Sequence, residues 1–332
     1  MEVGIYIRDY MEDPNRPMHD QIEAAAEVCR YAQTLGFSAI YMPQHFIAYP
    51  TVWPQPMQIL SRLAPETGSM KLMTGILLLP YHNPVDIAEQ TVTLDHISKG
   101  RFVLGVGLGY RETELEAFST NRRDRVSRFE ESLSLMKQLW TGESVTFQGK
   151  HWQVNEAKMS LIPVQQPHPP VWIAAQSTGA ARRAAMMGEA CLIGPQPSWE
   201  DFHFLADEYH RFLEAAGRGP GLLAANRSMA IARDRETAIS QARAAGEAKA
   251  GMYGSFNMQE STTVDLGLGG SRELDSWAIA GSPQDCVEII SRCHEEDGLE
   301  YIGLGCLNLP REQNARLEYL QMISEVFVSR LP

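Results

Sequence analysis

Short apolar runs rich in β-branched residues alternate along this chain with longer segments in which apolar residues recur every three or four positions. In the first such unit, residues 3–7 form an apolar run, and residues 21–35 carry apolar side chains at helical spacing before Gly36. The runs are typical of buried strands, and the longer segments are typical of amphipathic helices. Their alternation predicts an α/β fold with parallel strands and crossover helices.

Eight runs are predicted as strands, and their even spread favours a closed (β/α)8 barrel of the TIM type over an open doubly wound sheet. They cover residues 3–7, 37–42, 72–79, 102–107, 171–175, 190–193, 228–232 and 301–307. Residues 145–154 are predicted as an inserted hairpin that turns at 148–150, and residues 252–279 as a long excursion before the last strand. A chain of 332 residues has the length of one such barrel, so we expect a single domain over residues 1–332.

Charge and composition narrow the classes of partner. The formal net charge of −12 opposes binding to nucleic acid, whose phosphates require Lys and Arg. No apolar run reaches transmembrane length, and the residues after Met1 lack the features of a signal peptide, so we expect a cytoplasmic protein without membrane contact. The five cysteines are scattered without a C-x-x-C pair, which favours reduced thiols over disulfides or a zinc site.

Two histidines follow predicted strands. The active site of such a barrel lies at the carboxyl ends of its strands, where His45 follows the second strand and His82 the third. An imidazole titrates near neutral pH and can move a proton, so His45 is the first candidate for acid–base work. For an isolated histidine beside an aromatic residue, a structural hydrogen-bonding role is the alternative.

Residues 74–110 carry a long, ordered motif. A strand ends in L-P-x-H-N-P, the next helix ends in L-D-H-I-S-K-G-R, and the next strand ends in G-V-G-x-G-Y. This segment resembles the bacterial luciferase-like flavin-dependent monooxygenases. Similar patterns continue in residues 128–142, in residues 174–182 and from residue 281 to the end, so that the resemblance spans nearly the whole chain.

The resemblance implies an FMN site at the strand ends. Glycines after the fourth strand let a flat ring approach the backbone, although a tightly packed turn is the alternative. Residues 176–179 open a helix whose N–H groups can hold a phosphate, with a simple helix cap as the alternative. The implied catalytic residues are His45 and His82, and the implied cofactor contacts are Thr74, Gly75, Gly107, Gly109, Tyr110, Gln176, Ser177, Thr178 and Gly179.

The sequence departs from the family's pattern at two positions. Luciferases carry a phosphate-binding arginine in the turn after the fourth strand, where this chain has Leu108. Whether the nearby Arg111 replaces that arginine is left open by the sequence. An acidic residue commonly precedes the second-strand histidine in the family, whereas Gln44 precedes His45 here.

The resemblance implies a two-component monooxygenase. Such an enzyme takes diffusible reduced FMN from a separate NAD(P)H:flavin reductase and inserts one oxygen atom from O2 into a small organic substrate. Two alternatives remain open: hydride transfer with the deazaflavin F420, and a flavin-binding protein without turnover. A homodimer is expected by analogy, and the sequence does not identify the organic substrate.

Overall fold

The computed structural model describes residues 1–255 and 273–331 of the chain. The strands are β1 (Glu2–Tyr6), β2 (Ala39–Met42), β3 (Lys71–Thr74), β4 (Leu77–Leu78), β5 (Phe102–Gly107), β6 (Val145–Gln148), β7 (Gln153–Ala157), β8 (Val171–Ala175), β9 (Ala190–Ile193), β10 (Leu223–Ile231), β11 (Ile279–Gly281) and β12 (Leu299–Cys306). Eight of them close a parallel barrel in the order β1-β2-β3-β5-β8-β9-β10-β12, with β12 returning to β1. The predicted TIM-type barrel is therefore confirmed.

The predicted strands all overlap barrel strands, and the larger differences concern the third and the seventh of them. The third prediction splits into β3 and β4, and β4 pairs with β5. The seventh strand begins at Leu223, five residues before the predicted start. The prediction missed this first part because the polar residues Asn226 and Arg227, which are buried here, interrupt the apolar run. The predicted hairpin corresponds to the antiparallel pair β6 and β7. The short strand β11 pairs in parallel with β10 in addition.

The helices that connect the strands lie outside the barrel. They are α1 (Met18–Thr34), α2 (Pro56–Leu63), α3 (Pro84–Ile97), α4 (Glu112–Ala117), α5 (Arg125–Leu139), α6 (Thr178–Met187), α7 (Trp199–Ala215), α8 (Arg235–Ser255), α9 (Pro283–Asp297) and α10 (Gln313–Ile323). Capping boxes begin α7 and α9, and left-handed glycines end α6 and α9. These local signals explain why the helices start and stop where the sequence indicates.

The barrel interior is filled by side chains rather than left as a pore. The barrel strands are largely buried on both faces, which is why they read as continuous apolar runs instead of alternating ones. Inward-facing residues pack as one cluster that consists of Tyr6, Ala39, Tyr41, Met73, Val103, Trp172, Leu192, Ala224 and Tyr301. This packed layer leaves the carboxyl ends of the strands as the place for a site.

The predicted excursion before the last strand lies partly outside the described residues. Helix α8 continues to Ser255, and a short 3-10 turn at Leu274–Ser276 leads into β11. Residues 256–272, which include the glycine-rich stretch, are outside the described range. Within the described ranges, no helix combines the length and apolar character needed to cross a membrane.

Candidate active site

A cavity opens at the carboxyl ends of the barrel strands, with walls from the ends of β2, β3, β5, β8, β9 and β10 and the segments after them. The lining residues are Pro43, Gln44, His45, Trp53, Gly75, Ile76, Leu78, Leu108, Gly109, Tyr110, Arg125, Ala174, Gln176, Ser177, Ala180, Leu192, Gly194, Pro195, Gln196 and Asn226. The structure thus brings together six predicted site residues: His45, Gly75, Gly109, Tyr110, Gln176 and Ser177.

His45 is oriented by a buried carboxylate. Its Nδ1 lies 2.9 Å from Oε1 of Glu114 in α4, and its Nε2 lies 3.5 Å from the Tyr110 hydroxyl. The imidazole also meets the Trp53 ring edge-on, with 4.6 Å between ring centroids. Because the carboxylate accepts the Nδ1 proton, Nε2 is the nitrogen that is placed to exchange a proton.

Glu114 is fully buried, and its Oε1 accepts three hydrogen bonds. The donors are His45 Nδ1, the Phe46 N–H at 2.8 Å and Arg111 Nη1 at 3.0 Å. Burial raises the pKa of this carboxyl, but the His45 hydrogen bond and charge, the Phe46 N–H and Arg111 together bring its pKa below the usual value. Glu114 is therefore a carboxylate at neutral pH, and it fixes the ring orientation of His45.

The structure places His82 outside the cavity, although the sequence predicts it as a second catalytic histidine. Its Nε2 lies 3.0 Å from Oε1 of Gln44, which also accepts the Leu78 N–H at 2.9 Å. The ring packs against Phe46 and Phe118. Burial lowers the pKa of His82 to about 4, so this packing favours a neutral ring that donates to Gln44. His82 supports the cavity wall through Gln44.

The predicted residues around the glycine-rich strand end divide into two groups. Gly75 and Gly109 line the cavity, and Gly109 has a φ of +71°, which favours glycine. Gly107 does not line it, and a Cβ there would lie 1.9 Å from Cδ1 of Ile76, a residue that does line the cavity. Thr74 is also withdrawn from the cavity, since its hydroxyl donates to a carbonyl oxygen in β5 at 2.7 Å.

The turn after β8 forms the N-terminus of α6. Ser177 is the N-cap residue, and its Oγ accepts the Ala180 N–H at 3.3 Å, so the helix-cap interpretation is realised. Gln176 and Ser177 line the cavity, whereas Thr178 and Gly179 form the first turn of the helix and do not. A helix start retains backbone N–H groups that favour an anion, so capping and anion binding are compatible here.

Arg125, rather than Arg111, lines the cavity. Arg111 is buried at the start of α4, where its guanidinium donates to two backbone carbonyl oxygens and to Glu114. Arg125 donates to the Gly109 carbonyl at 2.8 Å and belongs to the cavity wall. Burial, followed by the charge of a neighbouring arginine, lowers the pKa of Arg125. An anion beside Arg125 would offset that cost.

The polar residues of the site that sequence reasoning missed include Glu114, Arg125 and Asn226. Glu114 and Arg125 lie on helices that follow the glycine-rich strand, where a charged residue that faces the barrel has the same local pattern as a solvated one. Asn226 lies before the predicted start of its strand. A polar residue within the apolar run that leads to residue 231 is the signal that would have indicated it.

Comparison with known proteins identifies the family. The sequence model of the luciferase-like monooxygenases matches residues 1–299. Over 169 residues the chain is 30% identical to the oxygenase component of a flavin-dependent trigonelline monooxygenase from Acinetobacter baylyi. This alignment covers 49% of this chain and 45% of that protein. Over 203 residues it is 29% identical to an F420-dependent glucose-6-phosphate dehydrogenase from Kineococcus radiotolerans, in an alignment that covers 59% of this chain and 60% of that protein. The chain spans about half the length of the curated relatives it matches.

A solved structure shares the fold over the whole chain. It is the oxygenating constituent of 3,6-diketocamphane monooxygenase from Pseudomonas putida in complex with FMN, with a TM-score of 0.80 at 18% identity. The superposition covers 100% of this chain and 99% of that one, and at this identity it supports the barrel fold alone. The sequence match and the barrel agree with the resemblance carried by residues 74–110. This chain belongs to the luciferase-like monooxygenase family.

Proposed function

We propose that this protein is the oxygenase component of a two-component flavin-dependent monooxygenase. It takes reduced FMN from a separate NAD(P)H:flavin reductase and inserts one oxygen atom from O2 into a small organic substrate. The observation that carries the proposal is one cavity lined both by His45, whose Nδ1 faces the buried Glu114, and by Arg125 and the start of α6, which together would suit an anion. The relative described as an oxygenase component and the FMN-bound fold neighbour support it.

The cavity residues fit a flavin mononucleotide. Arg125 and the N–H groups at the start of α6 would hold the phosphate, with Ser177 beside them. Gly75 and Gly109 keep part of the wall free of side chains, so that a flat ring system can approach the backbone. When bound, reduced FMN supplies the reaction with O2.

His45 is the proposed proton-transfer residue. Glu114 holds Nδ1 and leaves Nε2, near the Tyr110 hydroxyl, to give or take a proton at the reacting atom of the substrate. Trp53 packs edge-on against the imidazole and keeps bulk water from that side of the ring. Because His82 lies outside the cavity, we assign it a supporting role through Gln44.

Hydride transfer with F420 is the second candidate function. The F420-dependent relative favours it, and the same His45–Glu114 pair can take the proton released when an alcohol is oxidised. A flavin-binding protein without turnover has less support, since such a protein would not need a buried carboxylate aligned on His45.

Mixing experiments distinguish these functions. The purified protein is loaded anaerobically with chemically reduced FMN and mixed with O2 in a stopped-flow instrument. Flavin absorbance is followed with and without candidate aldehydes, ketones, heterocycles and sulfur compounds. We expect a flavin reoxidation rate that responds to one substrate class. When the mixture is made with 18O2, the product should contain one atom of 18O. Parallel mixtures contain NAD(P)H alone, or F420 without oxygen.

Two results would contradict the proposal. Oxidation of NAD(P)H by the purified protein without a reductase would remove the two-component mechanism. Turnover that needs F420 and proceeds without oxygen would establish the second candidate instead. A His45→Ala variant is the matched control, because it should retain FMN binding and lose about 10²–10⁴-fold in rate.

A further inference from the structure

Tyr81 carries a buried hydroxyl that the proposed chemistry does not use. The residue ends the 3-10 turn Leu79–Tyr81 after β4, and its ring lies nearly parallel to the Phe118 ring, with 5.5 Å between centroids. The Phe46 ring packs on it at 6.4 Å. Tyr81 is buried, and its hydroxyl makes no hydrogen bond with any residue that the structure describes. Because a buried hydroxyl without a partner is costly, a group that accepts its proton is expected nearby.

Glu114 has one unused oxygen. Its Oε1 accepts all three of the donors described above, whereas its Oε2 is buried and has no hydrogen-bond partner within the described ranges. A carboxylate can accept about four hydrogen bonds over its two oxygens, so Oε2 retains its full accepting capacity. The pKa of Glu114 lies below its usual value, so Oε2 shares a negative charge at neutral pH. An ionised oxygen that is buried without a donor is especially costly.

The packing brings Tyr81 and Glu114 together. The Phe46 N–H donates to the Glu114 carboxylate at 2.8 Å, and the Phe46 ring packs on Tyr81. Leu115, which follows Glu114 in α4, belongs to the same small buried cluster as Tyr81 and Leu78. Burial, followed by the charge of Glu114, raises the pKa of Tyr81, so the hydroxyl lies within range of that charge. One buried contact region therefore holds a donor and an acceptor that each lack a partner.

Gly109 leaves the room that the Tyr81 hydroxyl occupies. A Cβ at Gly109 would lie 2.2 Å from the hydroxyl oxygen, and Gly109 itself lines the cavity. The hydroxyl therefore lies directly behind this part of the cavity wall. Glu114 is also behind the wall, since it is buried and reaches the cavity through His45.

The other charged groups around Tyr81 cannot accept its proton. The charges of Arg125 and Arg111 oppose the effects of burial and of Glu114 on the pKa of Tyr81, but a guanidinium only donates hydrogen bonds. Arg125 donates to the Gly109 carbonyl, and Arg111 donates to Glu114 Oε1. Of the charged groups that influence Tyr81, the Glu114 carboxylate is therefore the acceptor.

We propose that Tyr81 is a positioning residue for His45, because its hydroxyl donates to Oε2 of Glu114. This hydrogen bond fixes the plane of the carboxylate and keeps Oε1 directed at His45 Nδ1. Both carboxylate oxygens then have donors, which stabilises the ionised form of Glu114. The assignment rests on the proposed function in that His45 is the residue that transfers the proton.

The first measurement is the titration of the Glu114 carboxyl, by NMR of flavin-free protein labelled with 13C at the glutamate carboxyl carbons. The Glu114→Gln variant identifies the signal. Tyr81→Phe keeps the ring that packs on Phe118 and removes only the hydroxyl. We expect it to raise the pKa of Glu114 by about 1–2 pH units, because a hydrogen bond to a charged group stabilises the ionised form by that amount.

The second measurement is the solvent exchange of the His45 Nδ1 proton, followed by NMR of protein labelled with 15N-histidine. Tyr81→Phe should speed this exchange roughly tenfold, because the carboxylate that holds the proton becomes free to rotate. In a Glu114→Gln background the same substitution should change the exchange rate less than about twofold, because Tyr81 acts through the carboxylate.

Tyr209→Phe is the matched control, since Tyr209 in α7 is also buried and its hydroxyl donates to the Glu189 carbonyl at 2.9 Å. It should leave both readouts unchanged. The proposal is overturned if Tyr81→Phe leaves the pKa of Glu114 unchanged, if Tyr209→Phe raises it equally, or if Tyr81→Phe speeds the exchange equally in both backgrounds. Because neither FMN nor a substrate is present, failure of this test and failure of the monooxygenase test are separate results.

Discussion

Glu114→Gln removes the negative charge that faces His45 while it preserves the shape of the side chain. In the wild-type protein, the same carboxylate oxygen accepts His45 Nδ1 at 2.9 Å and Arg111 Nη1 at 3.0 Å in a fully buried site. A hydrogen bond to a charged group contributes about 1.5–3 kcal/mol, against about 0.5–1.5 kcal/mol for a neutral one. The cationic form of His45 should therefore lose about 1–1.5 kcal/mol, which corresponds to roughly 5–12-fold in the rate of a proton-transfer step.

The assay is a double-mutant cycle on substrate-dependent flavin reoxidation, measured by stopped flow across pH. Glu114→Gln should slow the wild-type enzyme by that factor and change its pH profile, while FMN affinity stays within a few-fold. In a His45→Ala background the same substitution should have less than about a twofold effect, because Glu114 acts through His45. Glu116→Gln, an exposed change on the same helix, is the control and should have no effect.

The reasoning about Glu114 is wrong if the substitution slows both backgrounds equally. That result would mean that Glu114 contributes to folding or to cofactor binding rather than to the orientation of His45. Thermal unfolding of each variant separates these two contributions, since a loss of rate without a loss of stability cannot come from partial unfolding.

Replacing Ser177 and Thr178 together with Ala should weaken FMN binding about tenfold but riboflavin binding less, because only FMN carries a phosphate for the start of α6. His82→Gln should remove an acid-dependent loss of stability. The pKa of His82 in the folded protein is about 4, below its usual value of 6.5. Between these two pH values the unfolded chain binds a proton that the folded chain does not. The free energy of unfolding of the wild type therefore falls by up to about 3 kcal/mol as the pH drops. Thermal unfolding from pH 7 to pH 4 measures the difference. Gly109→Ala should lower the free energy of unfolding in urea by about 1–3 kcal/mol, because φ is +71° and the new Cβ would lie 2.2 Å from the Tyr81 hydroxyl.

Each of these predictions has a result that would contradict it, and the third also has a control variant. Equal weakening of FMN and riboflavin would indicate a disturbed helix cap instead of a lost phosphate contact. A His82→Gln variant that loses stability in acid as steeply as the wild type would show that other groups cause the loss. Gly179→Ala places a methyl group in α6 with the nearest atom 4.0 Å away, so it should leave stability unchanged or raise it slightly. A Gly109→Ala variant that is equally neutral would refute the strain argument.

The sequence by itself determined the barrel and the end of the barrel at which the site lies. Strand runs, helical periodicity and glycine stops are local properties, so they predict each element without knowledge of its neighbours. The motif over residues 74–110 predicted the family, and the positions of His45, Gly109 and Tyr110 after predicted strands placed them at one end of the barrel. The position of the site follows from the fold, because parallel barrel strands bring their carboxyl ends together.

Only the tertiary structure decided which of several similar side chains enter the site. Helix α4 contains three glutamates, and its packing against the segment after β2 buries Glu114 beside His45, 69 residues earlier in the chain. Contacts between other elements place His82 beside Gln44, bring Ile76 against Gly107 and put Arg125 rather than Arg111 in the cavity wall. Burial and pairing between residues far apart in sequence depend on how whole elements pack, and local periodicity contains no information about that packing.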